Sequence, residues 1–316
     1  MTASSVSSVR AKAPDTAATA PGPGQPRRRP LPGFHGRMMA PGILVLAAVS
    51  VLPFVAVVAM SFSRVHLLGG LGLEGVGLDN WGRLFADPDM AWAWARTAAY
   101  FVLTVGGEMV LGTLLAVCLW RLRRGRNAAL SLMLLPMFVA PVIVGLLGRF
   151  LTDSTFGLYS WLLRQVGYHG DIMGDRTSAF AAVTLMDIWE WTPLIALIAL
   201  AGLTSVPASV LEAAALDGAG MVRTLRYIVL PSITPVLLVA LLIRSMDALR
   251  YFDIIWNTTG GGPADATKVA SVRLYETAFR FFDFGYAAVT GLLMLAVTTV
   301  VARFFVRLLE RKELPR

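Results

Sequence analysis

Several charged residues of this chain lie in runs that are otherwise apolar. Arg244, Asp247, Arg250 and Asp253 recur at three-residue intervals. Alternating signs at that spacing can pair along one helix face. The same groups can instead line a polar passage, because charges inside a membrane turn toward a partner or a water-filled cavity. Both readings stand at this point. Asp187, Trp189, Glu190 and Trp191 form a second cluster. A carboxylate can accept the proton of a sugar hydroxyl, and a flat aromatic ring suits the apolar face of a sugar. Anchoring at a membrane interface is the rival role for the tryptophans. Asp187, Trp189, Glu190, Asp247, Tyr251, Asp253 and Trp256 are therefore the candidate substrate path. Glu108 is a further carboxylate in an apolar run, with no partner that the sequence names.

Other chemistry finds no support. His35, His66 and His169 are scattered, so no metal site is expected, and HExxH and GxSxG patterns are absent. Gly260-Gly261-Gly262 lacks the strand–loop–helix setting and the terminal Lys-Ser/Thr of a phosphate-binding loop, and reads as an external loop. With no legible nucleotide site, no cofactor is expected in this chain, and no catalytic residue.

These residues are positioned by a membrane protein. Of 316 residues, 56% are hydrophobic and only 15% charged, and mean hydropathy is +0.65. A soluble domain carries about a quarter charged residues. The expected fold class is all-α, polytopic, with six transmembrane helices at about 40–62, 97–119, 128–150, 179–202, 233–256 and 285–308, each near the ~20 residues that cross hydrocarbon. Gly106, Gly107 and Gly112 in the second span permit close helix contact. Cys118 is a lone cysteine, so there is no disulfide framework, and no internal repeat is evident.

Residues 1–38 read as a disordered basic tail. The apolar stretch that follows is too long for a cleaved leader and is taken as a retained first span. Domain organisation is then a tail (1–38), the first helix with an external loop (39–92), a five-helix transmembrane domain (93–308) and a short C-terminal tail (309–316). With the N-terminus inside, cytoplasmic segments hold 17 basic residues and external segments 8. The positive-inside rule thus predicts cytoplasmic termini and a cytoplasmic loop at 203–231, and the net charge of +8 bears on topology rather than on nucleic acid.

That loop contains Glu212-Ala213-Ala214-Ala215-Leu216-Asp217-Gly218, followed ten residues later by Ile228-Val229-Leu230-Pro231. It reads as helix, turn, helix. Ser205 is the expected cap and Pro207 fits a first turn. Val210, Leu211 and Ala214 share a stripe, with Glu212 roughly opposite. Locally, an amphipathic hairpin on a membrane surface and a helix that docks into a partner's groove are both possible. The spacing resembles the EAA loop of binding-protein-dependent ABC importer permeases. The resemblance implies a type I importer permease fold, and implies that Glu212, Ala213, Ala214, Asp217, Gly218, Ile228, Leu230 and Pro231 couple this chain to an ATPase subunit.

Phe252-Asp253-Ile254-Ile255, Thr259 to Pro263, Thr267, Tyr275, Ala278-Phe279 and Phe284-Gly285-Tyr286-Ala287 resemble the carbohydrate-import branch of that family, in particular its maltose- and glycerol-3-phosphate-type first permease. What the resemblance implies is a subunit moving a sugar, polyol or sugar phosphate across a bacterial cytoplasmic membrane. Its partners would be a second permease, two ATPase subunits that bind ATP, and an external sugar-binding protein. ATP binding would close the ATPase pair and move the loop as a rigid body, shifting the spans from inward-open to outward-open. The alternative from another class is an ion-coupled secondary transporter using Asp187, Glu190 or Asp253.

Overall fold

The computed structural model describes residues 34–66 and 72–313. Most of the expected basic tail (1–33) and the end of the C-terminal tail (314–316) lie outside the described residues. Where described, both expected tails are helical: Phe34 already begins α1 (Phe34–Ser61), and the last helix runs on to Glu313. The chain divides after Leu52, and the larger unit, Pro53–Arg316, carries everything discussed below.

Within that unit a two-stranded antiparallel hairpin, β1 (Ser63–His66) and β2 (Gly72–Gly75), is the exception to an otherwise helical fold. It leads into α2 (Asp79–Ala86) and the long α3 (Pro88–Arg121). Pro88 occupies the first turn of α3, where its missing amide costs nothing, and the Asp87 carboxylate accepts the Asp89 amide at 2.9 Å. Next come α4 (Arg126–Leu134), a 3-10 turn (Leu135–Phe138), α5 (Pro141–Leu151) and α6 (Leu158–Gln165). The second half holds α7 (Arg176–Thr204), α8 (Ala208–Leu216), α9 (Met221–Thr224), a π-helical turn (Leu225–Val229) and α10 (Leu230–Ala248). It closes with α11 (Asp253–Thr258), α12 (Ala270–Phe279) and α13 (Phe284–Glu313).

Five helices of the described residues are long and apolar enough to cross a membrane, and a sixth span is counted if one bent pair is joined. That pair corrects the expected straight helix at 128–150. Arg126–Phe138 and Pro141–Leu151 meet at 89°. The residue before a proline avoids helical geometry, and Ala140 is accordingly extended, with φ −64° and ψ 137°. The fifth span is corrected as well. It starts at Met221, twelve residues before the expected 233, and ends at Ala248. Pro231 has no amide to offer the Tyr227 carbonyl four residues back, and the wide π turn lies at that point.

Lipid is as apolar as leucine, so helices in a membrane associate through close approach and polar links rather than through hydrophobic expulsion. The α3–α7 pair shows the first device. A methyl group on Gly112 would stand 2.7 Å from Ile195 Cβ and 3.0 Å from the Ala196 amide nitrogen of α7. A Cβ on Gly107 would meet Ile188 Cδ1 at 2.7 Å, whereas Gly106 faces open space and takes no part in the contact. At one end of this pair Ala116, Leu200, Leu203, Val229 and Ile233 pack together, with Leu211 of α8 against them. At the other, Tyr100, Val183, Tyr251, Ile254 and Val272 form a second core.

Candidate functional site

Arg244 of α10 is the polar link. Its side chain is 1% exposed, and its guanidinium reaches three carboxylates on three helices. Nε and Nη2 donate to Glu108 Oε2 and Oε1 of α3, each at 2.6 Å, a bidentate fork. Nη2 also donates to Asp187 Oδ2 of α7 at 3.0 Å, and Nη1 to Asp247 Oδ2 one turn on at 2.7 Å. The guanidinium lies 5.1 Å from the centroid of the Trp191 ring, a cation–π contact. Glu108 and Asp187 are fully buried, while the Asp247 side chain is about a third exposed. Asp187 Oδ1 and the Tyr100 hydroxyl have no hydrogen-bond partner among the described residues.

A second polar group lies beside it. The Tyr251 hydroxyl donates to Glu190 Oε2 at 3.0 Å and receives the Trp191 Nε1–H at 3.5 Å. Its ring stacks on Tyr100, with centroids 6.2 Å apart, and Ser271 Oγ donates to its carbonyl at 2.5 Å. Each partner satisfies a group that would be costly to bury alone.

The structure thus unites Asp187, Glu190, Asp247 and Tyr251 and separates the other candidates. Trp189 points outward, 53% exposed. The expected ladder of four charges in one helix is broken: Arg244–Asp247 pairs closely, Arg250–Asp247 only at 3.9 Å, and Asp253 opens α11 as an exposed residue. Chain geometry explains this, because α10 ends at Ala248, and a turn at Leu249–Arg250 followed by Tyr251 and Phe252 separates it from α11. Trp256 stacks on Phe252 at 5.5 Å and contacts Tyr275 at 4.6 Å. Sequence reasoning missed the Glu108–Arg244 pair, which spans 136 residues. The signal that could have found it was simply that each was an unexplained charge in an apolar run.

The loop 203–231 forms the helix–turn–helix predicted for it. Pro207, extended, is the residue before α8, and Ser205 Oγ instead donates to the Gly202 carbonyl at the end of α7, so the expected serine cap is corrected. At the other end, Gly218 N bonds Ala215 O at 3.1 Å and Ala219 N bonds Ala214 O at 3.0 Å. This is a Schellman stop, with Gly218 at φ +71°. Ala214 is buried and Leu211 packs inward, but Val210 is 39% exposed, so the inner stripe is narrower than expected. Glu212, Ala213 and Asp217 are exposed, and Leu216 and Val222 stand 89% and 78% exposed. Leu230 packs against the core that holds α8, and Ile228 and Pro231 flank it at the π turn.

Long apolar helices, a buried charge hub and an exposed helical loop with apolar tips describe a polytopic helical membrane protein. Comparison with known proteins says which. Residues 108–314 match the binding-protein-dependent transport system inner membrane component family, and the chain belongs to it. It is 32% identical over 278 residues to the sulfoquinovosyl glycerol transport system permease protein SmoG of Agrobacterium fabrum, covering 87% of this chain and 90% of that one. It is 33% identical over 230 residues to the trehalose/maltose transport system permease protein MalF of Thermococcus litoralis, covering 72% and 77%. In fold it matches the crystal structure of a bacterial ABC transporter involved in the import of the acidic polysaccharide alginate, with a TM-score of 0.75 at 22% identity, over 87% of this chain and 94% of that one. The chain is a multi-pass membrane protein of type I fold and the permease subunit of an ABC importer. The relatives are named as permeases, not enzymes, and the ion-coupled alternative is not favoured.

Proposed function

We propose that this permease serves a carbohydrate importer and that α8 is the stud on which its ATPase subunit docks. The names of the relatives support the substrate class: they are permeases for sulfoquinovosyl glycerol, trehalose/maltose and sn-glycerol-3-phosphate. A second permease, two ATPase subunits and an external sugar-binding protein complete the assembly, with loop 203–231 and both termini cytoplasmic in a bacterial cytoplasmic membrane. The basic-residue asymmetry supports that orientation.

The observation that carries the docking role is the two-sided character of α8. Leu211 and Ala214 fix it to the bundle while Glu212 and Leu216 face away, uncovered. An exposed carboxylate beside apolar tips fits a groove with a cationic contact. The test is Glu212→Ala in the complete transporter. Folding stability should change by no more than about 0.5 kcal/mol, as for other exposed positions. Recovery of the ATPase in a detergent pull-down, and sugar uptake with it, should fall at least several-fold. Wild-type recovery and uptake would remove α8 from the coupling path.

A further inference from the structure

The glycine-rich segment 260–262 has no part in the sites above, yet it lines a cavity of about 450 Å3, a size common among small-molecule sites. Arg149 at the end of α5, Trp256 of α11, Thr259, Gly262 and Arg280 after α12 are among its walls. Two features set it apart. No carboxylate lines it, and two arginines do.

Only one of the two arginines has an acidic partner among the described residues. Arg149 is exposed and forms no ion pair with another described residue. Arg280 lies 4.8 Å from the centroid of the Trp256 ring, which fixes its plane without cancelling its charge. Its one acidic neighbour, Glu276, accepts from Nη1 at 3.3 Å but is shared with Lys268, whose Nζ stands 2.9 Å from the other oxygen. Lys268 also pairs with Asp265 at 2.7 Å, so Lys268 and Arg280 together balance the two acids and Arg149 is left as the uncompensated charge. What remains is a concave site with two planar guanidinium groups in its walls. Guanidinium forks match carboxylate, sulfonate and phosphate oxygens two at a time.

We propose that this cavity receives the anionic group of a charged sugar, one bearing a carboxylate, sulfonate or phosphate, as the sugar enters the transporter. The proposal rests on the carbohydrate reading and narrows it. Arg149 and Arg280 act as an electrostatic selector, and the segment 258–263 closes the site without adding a competing negative charge.

The probes are D-glucuronate and glucose 6-phosphate, with glucose as the neutral control. Equilibrium binding is measured on the complete transporter in zwitterionic lipid nanodiscs. Both anions should bind and glucose should not. Arg149→Gln and Arg280→Gln should each weaken anion binding about tenfold, and added salt should weaken it further. Arg64→Gln, an exposed cation of β1 that does not line the cavity, should change nothing. Equal binding of glucose, no anion binding to the wild type, or no effect of either cavity variant overturns the proposal. Anionic phospholipid is tested in a parallel arm. If the cavity variants alter only lipid enrichment around the chain, the arginines face membrane headgroups and the proposal fails. ATP-driven uptake separates the two levels: import of neutral sugars alone, unchanged in both variants, sinks the selector but leaves the carbohydrate reading intact. No ATP-driven uptake of any carbohydrate sinks that reading itself.

Discussion

Glu108 and Glu212 are the same residue type on helices of the same chain, and they are opposites in every other respect. Glu108 is buried and held by two bonds of 2.6 Å to Arg244, a partner 136 positions away. Glu212 is exposed and unpaired among the described residues. The first carboxylate is part of how the bundle holds together, and the second is open to a partner outside it. Removing a member of a buried ion pair leaves an uncompensated charge, whereas trimming an exposed acid leaves the fold nearly untouched.

The sharpest way to break that contrast is Arg244→Met. It strands Glu108 and Asp187 in the membrane and should cost about 3–5 kcal/mol, the penalty for breaking a buried pair. The full-length chain in detergent should show a lower thermal midpoint and a poor yield. Adding Glu108→Gln to Arg244→Met should recover part of the loss, because one of the two stranded charges is gone. A wild-type midpoint for the single variant would mean the hub contributes nothing to assembly.

Packing comes next. Gly112→Val drives a side chain into Ile195 and the α7 backbone and should cost about 1–3 kcal/mol. Gly106→Val, six residues earlier on the same helix, meets open space and should be close to neutral. Equal losses in the two variants would show that the α3–α7 approach is not the controlling contact. At the loop, Gly218→Val forces a β-branched residue to φ +71°, a strain of about 1–2 kcal/mol. It should loosen the α8 stop, seen as faster proteolysis of residues 208–220, while leaving the thermal midpoint of the bundle close to wild type. Intact protease resistance would argue against the Schellman stop as the fixing element.

The smallest effect is in acid. Burial opposes ionisation of Asp87, but the Tyr286 hydroxyl at 2.7 Å, the Met90 and Asp89 amides and Arg273 outweigh it and hold its carboxyl below the usual range. A depressed folded-state value stabilises the protein above the unfolded pKa, and that contribution is lost as pH falls through the folded value. The thermal midpoint should therefore decline below about pH 4, and Asp87→Asn should flatten that part of the profile while keeping the α3 cap. An unchanged acid profile in the variant would assign the loss to other groups.

These differences also explain what could be read in advance. The loop was legible because its determinants are local: a glycine that accepts a positive φ without a steric penalty, small residues on one helix face, and an acid on the other. The six apolar stretches were legible because hydrocarbon thickness fixes their length. The break at Pro141 and the early end of α10 were not, since a proline within a span can be tolerated or can turn the chain, and the neighbours decide. Glu108 and Arg244 were each visible as anomalies, but their meeting depends on how α3, α7 and α10 pack, which no short window of sequence contains. The same holds for Arg149 and Arg280, 131 positions apart, which share a cavity only in the folded chain.

The run from Met221 through the π turn to Ala248 is a single helical rod, secured near its far end by Arg244. At about 1.5 Å per residue, the distance along it from Arg244 to Met221 is roughly 35 Å. A tilt of about 10° around that charge would carry Met221, and α8 behind the Gly218 turn, through roughly 6 Å. The reverse holds too: a displacement of about 6 Å at the exposed loop would arrive at Glu108 and Asp187 as a rotation of only about 10°. A rod held this way would act as a reducing gear, with a long stroke at its edge becoming a small reorientation of charges at its centre.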